Sequence, residues 1–211
     1  MNFFESIKQM IDLTEQLKTQ VKGTVGEIGT AEIFKWYFNY NNIKYKIVKN
    51  VYLKFSNNKT TEIDIIVISE YGIFVIENKN YSGWIFGSLK NEHWTETFPN
   101  GSKFKFYNPL KQNYTHINTL KNYINEKYHN IIYSYIVFSG ECELKKVPYN
   151  SEFIKIIKTN QIFDILSESL KNKYITFEEI ETLYNNLNQY AHASKEEKQQ
   201  HNENIKSRKG K

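Results

Sequence analysis

Over Thr60–Lys79 the chain reads TTEIDIIVISEYGIFVIENK, and no other stretch limits the fold so strongly. Two runs rich in Ile and Val flank Glu70-Tyr71-Gly72, a pattern that predicts a β-hairpin. With the turn symmetric about Glu70 and Tyr71, Asp64 lies opposite Glu77 and Glu62 opposite Lys79. Side chains alternate along a strand, so Glu62, Asp64, Ile66 and Ile68 are expected to share a face with Ile73, Val75, Glu77 and Lys79. One end of that face is apolar and the other ionic. Opposed like charges destabilise a hairpin, so a fold accepts Asp64 beside Glu77 more readily with a positive group between them. A hard divalent cation held through oxygen would satisfy both carboxylates, with Lys79 projecting beside it.

The chain has 211 residues, enough for one domain with a substantial core. Its single cysteine, Cys142, excludes an intramolecular disulfide framework and a cysteine zinc cage, which points to a reducing, cytoplasmic setting. No apolar run approaches the ~18 residues that span a bilayer, and the amino-terminal segment lacks a signal-peptide core, so a soluble protein without a membrane partner is expected. The net charge of +5 permits contact with polyanions, although much of the excess sits in the last residues.

In chain order, the apolar spacing of Phe3, Phe4, Ile7, Met10, Ile11, Leu13 and Leu17 predicts a packing or dimerising helix up to about Val21. A second helix is expected over Val25–Tyr40. Glu27 and Glu32 lie early in it, where they complement the helix dipole, or one of them turns inward to the metal. Tyr45–Phe55 alternates as a strand, and Ser56–Lys59 reads as a turn into the hairpin. After Lys79, WIFG, HWTETF and Lys103–Tyr107 read as an antiparallel meander continuing the same sheet, with Trp84 and Trp94 as core or rim residues.

Asn108-Pro109 starts a helix expected to reach about Tyr128, with Gln112 and His116 on one face. There His116 reads as a helix-surface contact. Ile131–Ser139 is a continuous apolar run, as in a strand buried on both sides. FIKII near residue 155 reads as an edge strand, Gln161–Leu170 and Phe177–Tyr190 as core helices, and the residues from about Ser194 as a solvated helix extension or disordered basic tail.

Asp64, then twelve residues, then Glu77-Asn78-Lys79, supplies groups that a metal-dependent phosphodiesterase uses. Taken alone, such a pattern is more often a surface ion pair at a solvated strand end. Here both acids sit inside strongly apolar strands, where carboxylates are costly unless paired or coordinated.

The run EIDIIVISEYGIFVIENKNYSGWIFG, the upstream KGTVGEIG and the downstream FYNPLKQNYTHI together resemble the nuclease-related domain (NERD), a branch of the PD-(D/E)XK nuclease superfamily. The resemblance covers about Lys22 to Ser139. It implies an α/β (α+β), restriction-endonuclease-like core: a mixed central sheet flanked by helices, with the Asp and the Glu-x-Lys on adjacent strands. It also implies a catalytic set of Asp64, Glu77 and Lys79. The family's Gly-Glu matches Gly26-Glu27, which adds Glu27 to Asp64 and Glu77 as a metal ligand, with Glu32 the second choice. Its Gln after Asn-Pro matches Gln112, whose amide would hold substrate or a metal-bound water.

The resulting expectation is a Mg²⁺-dependent nuclease or DNA-processing domain, with Mn²⁺ as a substitute ion and nucleic acid, DNA first, as partner. The alternative is a module on the same fold that binds nucleic acid or protein without cutting. The expected layout is an N-terminal helix (1–21), the nuclease core (22–140), a C-terminal strand and helices packed on the core (141–193), and a polar basic tail (194–211). The terminal helices offer a surface for homo-oligomerisation.

Overall fold

A computed structural model describes residues 24–55, 59–148 and 150–191, with side chains in the first helix from Gly29 onward. The helix expected before Val21, the turn at Ser56–Asn58, the tail from Ser194 and the side chain of Glu27 lie outside the described residues.

The Ile/Val runs form the centre of a five-stranded mixed sheet. Helix α1 (Thr24–Tyr40) leads into β1 (Tyr45–Phe55), β2 (Lys59–Ser69) and β3 (Gly72–Asn80), which pair antiparallel in sequence. Strands β7 (Ile132–Ser139) and β9 (Ile154–Lys158) then extend the sheet in parallel, in the order β1-β2-β3-β7-β9. Among the described residues β9 pairs only with β7, so FIKII is the edge strand its composition suggested.

Both faces of the sheet are covered, which is why its central strands read as unbroken apolar runs. Ile65, Val67, Phe74 and Ile76 pack against Phe34, Tyr37 and Phe38 of α1 and against Ile162 and Leu166 of α3 (Ile162–Ser169). On the other face, Ile66, Ile68, Ile73 and Val75 pack beneath Leu120 of α2 (Pro109–Leu120) and Ile180, Leu183 and Leu187 of α4 (Phe177–Asn188). Each fully buried Ile or Val contributes about 1.5–3 kcal/mol over its exposed state. These residues therefore set the register, since a slip of one residue would carry each set to the wrong face. Gly72 closes the hairpin at φ 137°, where an added Cβ would lie 2.6 Å from the Ile131 carbonyl oxygen.

The hairpin register is the expected one from Ser69↔Gly72 to Ile65↔Ile76. It departs from expectation at the acids. The β2–β3 ladder ends one step before Asp64 and Glu77, and the β1–β2 ladder skips Asp64 and Asn50, resuming at Val51↔Ile63. Asn50 has φ 53°, a left-handed conformation that asparagine tolerates better than most residues. The interruption breaks the alternation, so Ile63 joins the same cluster as Ile66, and Glu62 turns away to accept a hydrogen bond from Tyr52 Oη at 2.5 Å. Glu62 therefore does not face Lys79, which pairs in register with Phe138 instead.

The meander is also corrected. Strands β4 (Trp84–Phe86), β5 (His93–Thr97) and β6 (Lys103–Tyr107) are antiparallel, but they build a separate four-stranded sheet, completed by β8 (Glu143–Lys146) parallel to β4. β3 cannot accept them because β7 occupies its remaining edge from Ile73 to Asn80. Ile85 and the fully buried Trp94 of the new sheet pack on Ile136, Phe138 and Ile156. Helix α2 ends at Leu120, earlier than expected: Asn125 caps a separate 3₁₀ turn, Glu126–Ile131, by accepting from the Lys127 amide. Among the described residues no helix is long and apolar enough to cross a membrane.

Candidate active site

Three elements converge where β3 leaves the hydrophobic core. β3 turns Glu77 and Lys79 toward α2, while Asn78 points to α1 and accepts from Thr30 Oγ1 at 2.9 Å. β2 delivers Asp64 at its break in pairing, and Asp64 Oδ2 accepts from the Asn78 amide at 2.8 Å. A side-chain acceptor thus replaces a ladder carbonyl, holding the two strands together while leaving the Asp64 carboxylate at the fork. α2 supplies Gln112 and His116, one turn apart on the face toward β3. The helix is anchored by Asn108, which accepts from the Leu110 amide, and by Asn113 Nδ2, which donates to the Val75 carbonyl at 2.9 Å and to Ser134 Oγ at 2.8 Å.

At the centre is Glu77, only 2% exposed. Its Oε1 lies 2.6 Å from Lys79 Nζ, and its Oε2 lies 3.0 Å from His116 Nε2. Burial by itself pushes the Glu77 carboxyl up, but the Lys79 charge and the His116 contact outweigh it and hold the group below the ordinary carboxylate value. Burial likewise presses Lys79 down, and Glu77, with smaller contributions from Tyr81 and Asp64, raises it above the ordinary lysine value. The pair is therefore an ammonium and a carboxylate at neutral pH. Lys79 also donates to Gln112 Oε1 at 3.1 Å. An ionised Glu77 only accepts, so His116 Nε2 carries the proton of that contact, and His116 Nδ1 meets Thr61 Oγ1 at 2.6 Å.

The structure thus brings Asp64, Glu77, Lys79 and Gln112 together. Glu32 is not among them: it is exposed and pairs with Lys35 at 3.1 Å on the helix surface. The expectation for His116 is overturned, because it is 3% exposed and joins α2 to both β2 and β3. The available signal was its i,i+4 spacing from Gln112 on the face opposite the exposed Tyr114 and Asn118. Thr61, Thr30 and Asn78 carried no sequence signal, since each acts through a partner distant in the chain. Among the described residues no three His, Cys, Asp or Glu side chains form a ready metal cage.

His116→Ala is expected to reduce any metal-dependent activity of this site about 10–100-fold, the usual effect of removing a group that orients a ligand. His116→Gln, which can still donate to Glu77, should recover part of the loss. Turnover equal to wild type in both variants would show that His116 only packs.

An uncharacterized protein of Bacillus anthracis is 32% identical over 181 residues, covering 86% of this chain and 84% of its own. A solved protein of unknown function, AF1548, aligns with a TM-score of 0.32 at 12% identity, over 57% of this chain and 50% of that one. The model of the nuclease-related domain matches residues 22–139, from just before α1 to the last residue of β7. More than half of the sequence, including every element that builds the site, is therefore shared with one family, and the chain belongs to the nuclease-related domain (NERD) family.

Proposed function

We propose that the domain is a Mg²⁺-dependent nuclease that hydrolyses phosphodiester bonds of nucleic acid, DNA first. The observation that carries this reading is the buried Glu77–Lys79 pair beside Asp64. A fold that needed only stability would be served as well by a well-packed apolar pair, because desolvation offsets most of the attraction in a buried ion pair. Keeping three charged groups at a strand fork suits a site that handles charge.

The donor set fits a hard divalent cation. Asp64 and Glu77 offer carboxylate oxygens and no sulfur, and His116 fixes the orientation of Glu77 from behind. Asp64 and Glu77 would hold the ion, with Glu27 from α1 as the third ligand. When bound, Mg²⁺ activates a water and offsets charge on the phosphate. Lys79 stays protonated and donates toward phosphate oxygen, and Gln112 orients the Lys79 ammonium through its Oε1. A second reading, binding without cleavage on the same fold, draws on one specific observation: Lys79 closes on Glu77 Oε1 at 2.6 Å, so Glu77 must loosen that contact to serve as a ligand.

The two readings separate in one experiment. Wild-type protein is incubated with single- and double-stranded DNA and RNA in Mg²⁺, Mn²⁺ or EDTA, and melting is followed in parallel. The nuclease reading expects cleavage with metal and none in EDTA. It also expects Mn²⁺ at about 100 times its Kd to stabilise the wild type by about 2.7 kcal/mol, with little effect on Glu77→Gln. Absence of cleavage with every metal, or equal Mn²⁺ shifts in both proteins, would leave the binding module.

A further inference from the structure

The second sheet has two unlike faces. Register places Ile85, Trp94, Glu96 and Phe106 on the inner one, where Ile85 and Trp94 are fully buried and Glu96 accepts from the Ser82 and Gly83 amides. The outer face carries Trp84 and Phe86 of β4, paired with Thr97 and Thr95, which pair in turn with Lys103 and Lys105 of β6. Tyr107 continues the same row. β8 adds Lys145, whose ammonium lies 5.6 Å over the Trp84 ring, and Lys146 opposite Phe86.

Phe86 is 37% exposed and Tyr107 44%, and all four lysines are exposed. Exposed aromatics scattered singly need no explanation. Here the exposed Phe86 and Tyr107 and the half-buried Trp84 share one face with four lysines, and the only carboxylate among these strands on that side is Glu143, paired with Lys145. A second copy of the chain docked through this face would set lysines against lysines, so charge favours a polyanion. Flat rings between lysines fit one polyanion in particular, a single strand whose bases are free to stack while its phosphates meet the ammonium groups.

The sheet is joined to the site at both ends. β3 runs on through Tyr81 into β4, and β6 passes at Asn108 into α2, the helix of Gln112 and His116. Tyr81, two residues along the chain from Lys79, stacks on Phe106 at 4.5 Å between ring centroids.

We propose that the outer face of the β6-β5-β4-β8 sheet binds single-stranded nucleic acid, with Trp84, Phe86 and Tyr107 stacking on bases and Lys103, Lys105, Lys145 and Lys146 meeting phosphates. Its purpose, delivering a strand to the site beside Lys79, rests on the nuclease reading, whereas the binding itself does not. The test is fluorescence anisotropy of the full chain with a labelled oligo(dT) of about 20 nucleotides and a duplex of equal length, in EDTA over a salt series. The wild type should prefer the single strand. Phe86→Ala with Tyr107→Ala should weaken that binding at least tenfold. Lys103→Gln with Lys105→Gln should reduce the slope of log K against log salt by about 0.7 per lysine, whereas Lys54→Gln with Lys171→Gln, remote from this sheet, should leave binding unchanged. Melting temperatures confirm folding, and the lysine variants, which alter only exposed tips, stand independently of the aromatic ones.

Outer-face variants that bind like wild type, or no preference for the single strand, would overturn the proposal. Tight binding without cleavage in Mg²⁺ would sink the nuclease reading and keep this one. Cleavage together with unaltered binding by every outer-face variant would do the reverse.

Discussion

Lys79→Ala is expected to lower the turnover rate for phosphodiester cleavage by about 10²–10³-fold with little change in KM, as for removal of a preorganised donor aimed at developing charge. A lysine at this place can orient or help deprotonate the attacking water, or offset charge on the phosphate, and the position of its ammonium bears on the choice. A lysine acting as base must lose its proton near neutral pH, yet Glu77 at 2.6 Å, with Tyr81 and Asp64 behind it, holds Lys79 in the charged form despite burial. On the nuclease reading proposed above, a lysine charged in the metal-free protein acts as a donor to the phosphate. Its contribution grows as charge builds on the phosphate, so the loss falls on kcat. Lys79→Arg preserves the charge at the cost of crowding a side chain that is only 17% exposed, and it should retain more activity than Ala. Single-turnover rates at saturating oligonucleotide, with near-UV circular dichroism to establish the folded fraction, provide the measurement. A rate within threefold of wild type for Lys79→Ala would remove Lys79 from the chemistry.

Much of this arrangement is legible in local sequence, and the parts that are not share a physical cause. Ile66, Ile68, Ile73 and Val75 announce the hairpin and its register because each face of the sheet must be buried, and the run Ile131–Ser139 announces a strand covered on both sides. The helix of Gln112 is announced by its own cap. The fork at Asp64 is not, because it depends on the left-handed Asn50 in another strand, and asparagine at that position looks no different from asparagine in an ordinary loop. The second sheet is hidden for a similar reason: whether WIF can extend β3 depends on β7, which arrives some fifty residues later and takes the edge. His116 lies on a helix whose apolar side is readable from Ile117 and Leu120, but a histidine beside that side is equally at home in water or on a carboxylate. Only the positions of Thr61 and Glu77 decide it. Alternation and capping reveal elements, whereas the chemistry here is assembled from contacts between elements.

Lys79→Met in metal-free buffer is expected to destabilise the fold by about 3–5 kcal/mol at neutral pH, because it strands a buried carboxylate with His116 as its remaining close partner. Glu77→Gln with Lys79→Met should recover most of that loss, since the amide oxygen still accepts from His116 and no net charge remains to be desolvated. The pH dependence gives the effect its sign. Glu77 is depressed in the folded protein, so its contribution is present above the unfolded carboxylate value of about 4.3 and disappears as pH falls through the lower folded value. Lys79 is raised, so its contribution is complete below about 10.4 and disappears as pH rises through the folded value. The gap between wild type and Lys79→Met should therefore be widest between those limits and narrow in acid, where the stranded carboxyl takes up a proton and ceases to oppose folding. Urea unfolding of the three proteins at pH 7 and at about pH 3.5, with a chelator present throughout, measures the gap directly. A gap that is constant across pH, or a double variant no more stable than Lys79→Met, would mean that Glu77 and Lys79 do not stabilise each other as an ion pair.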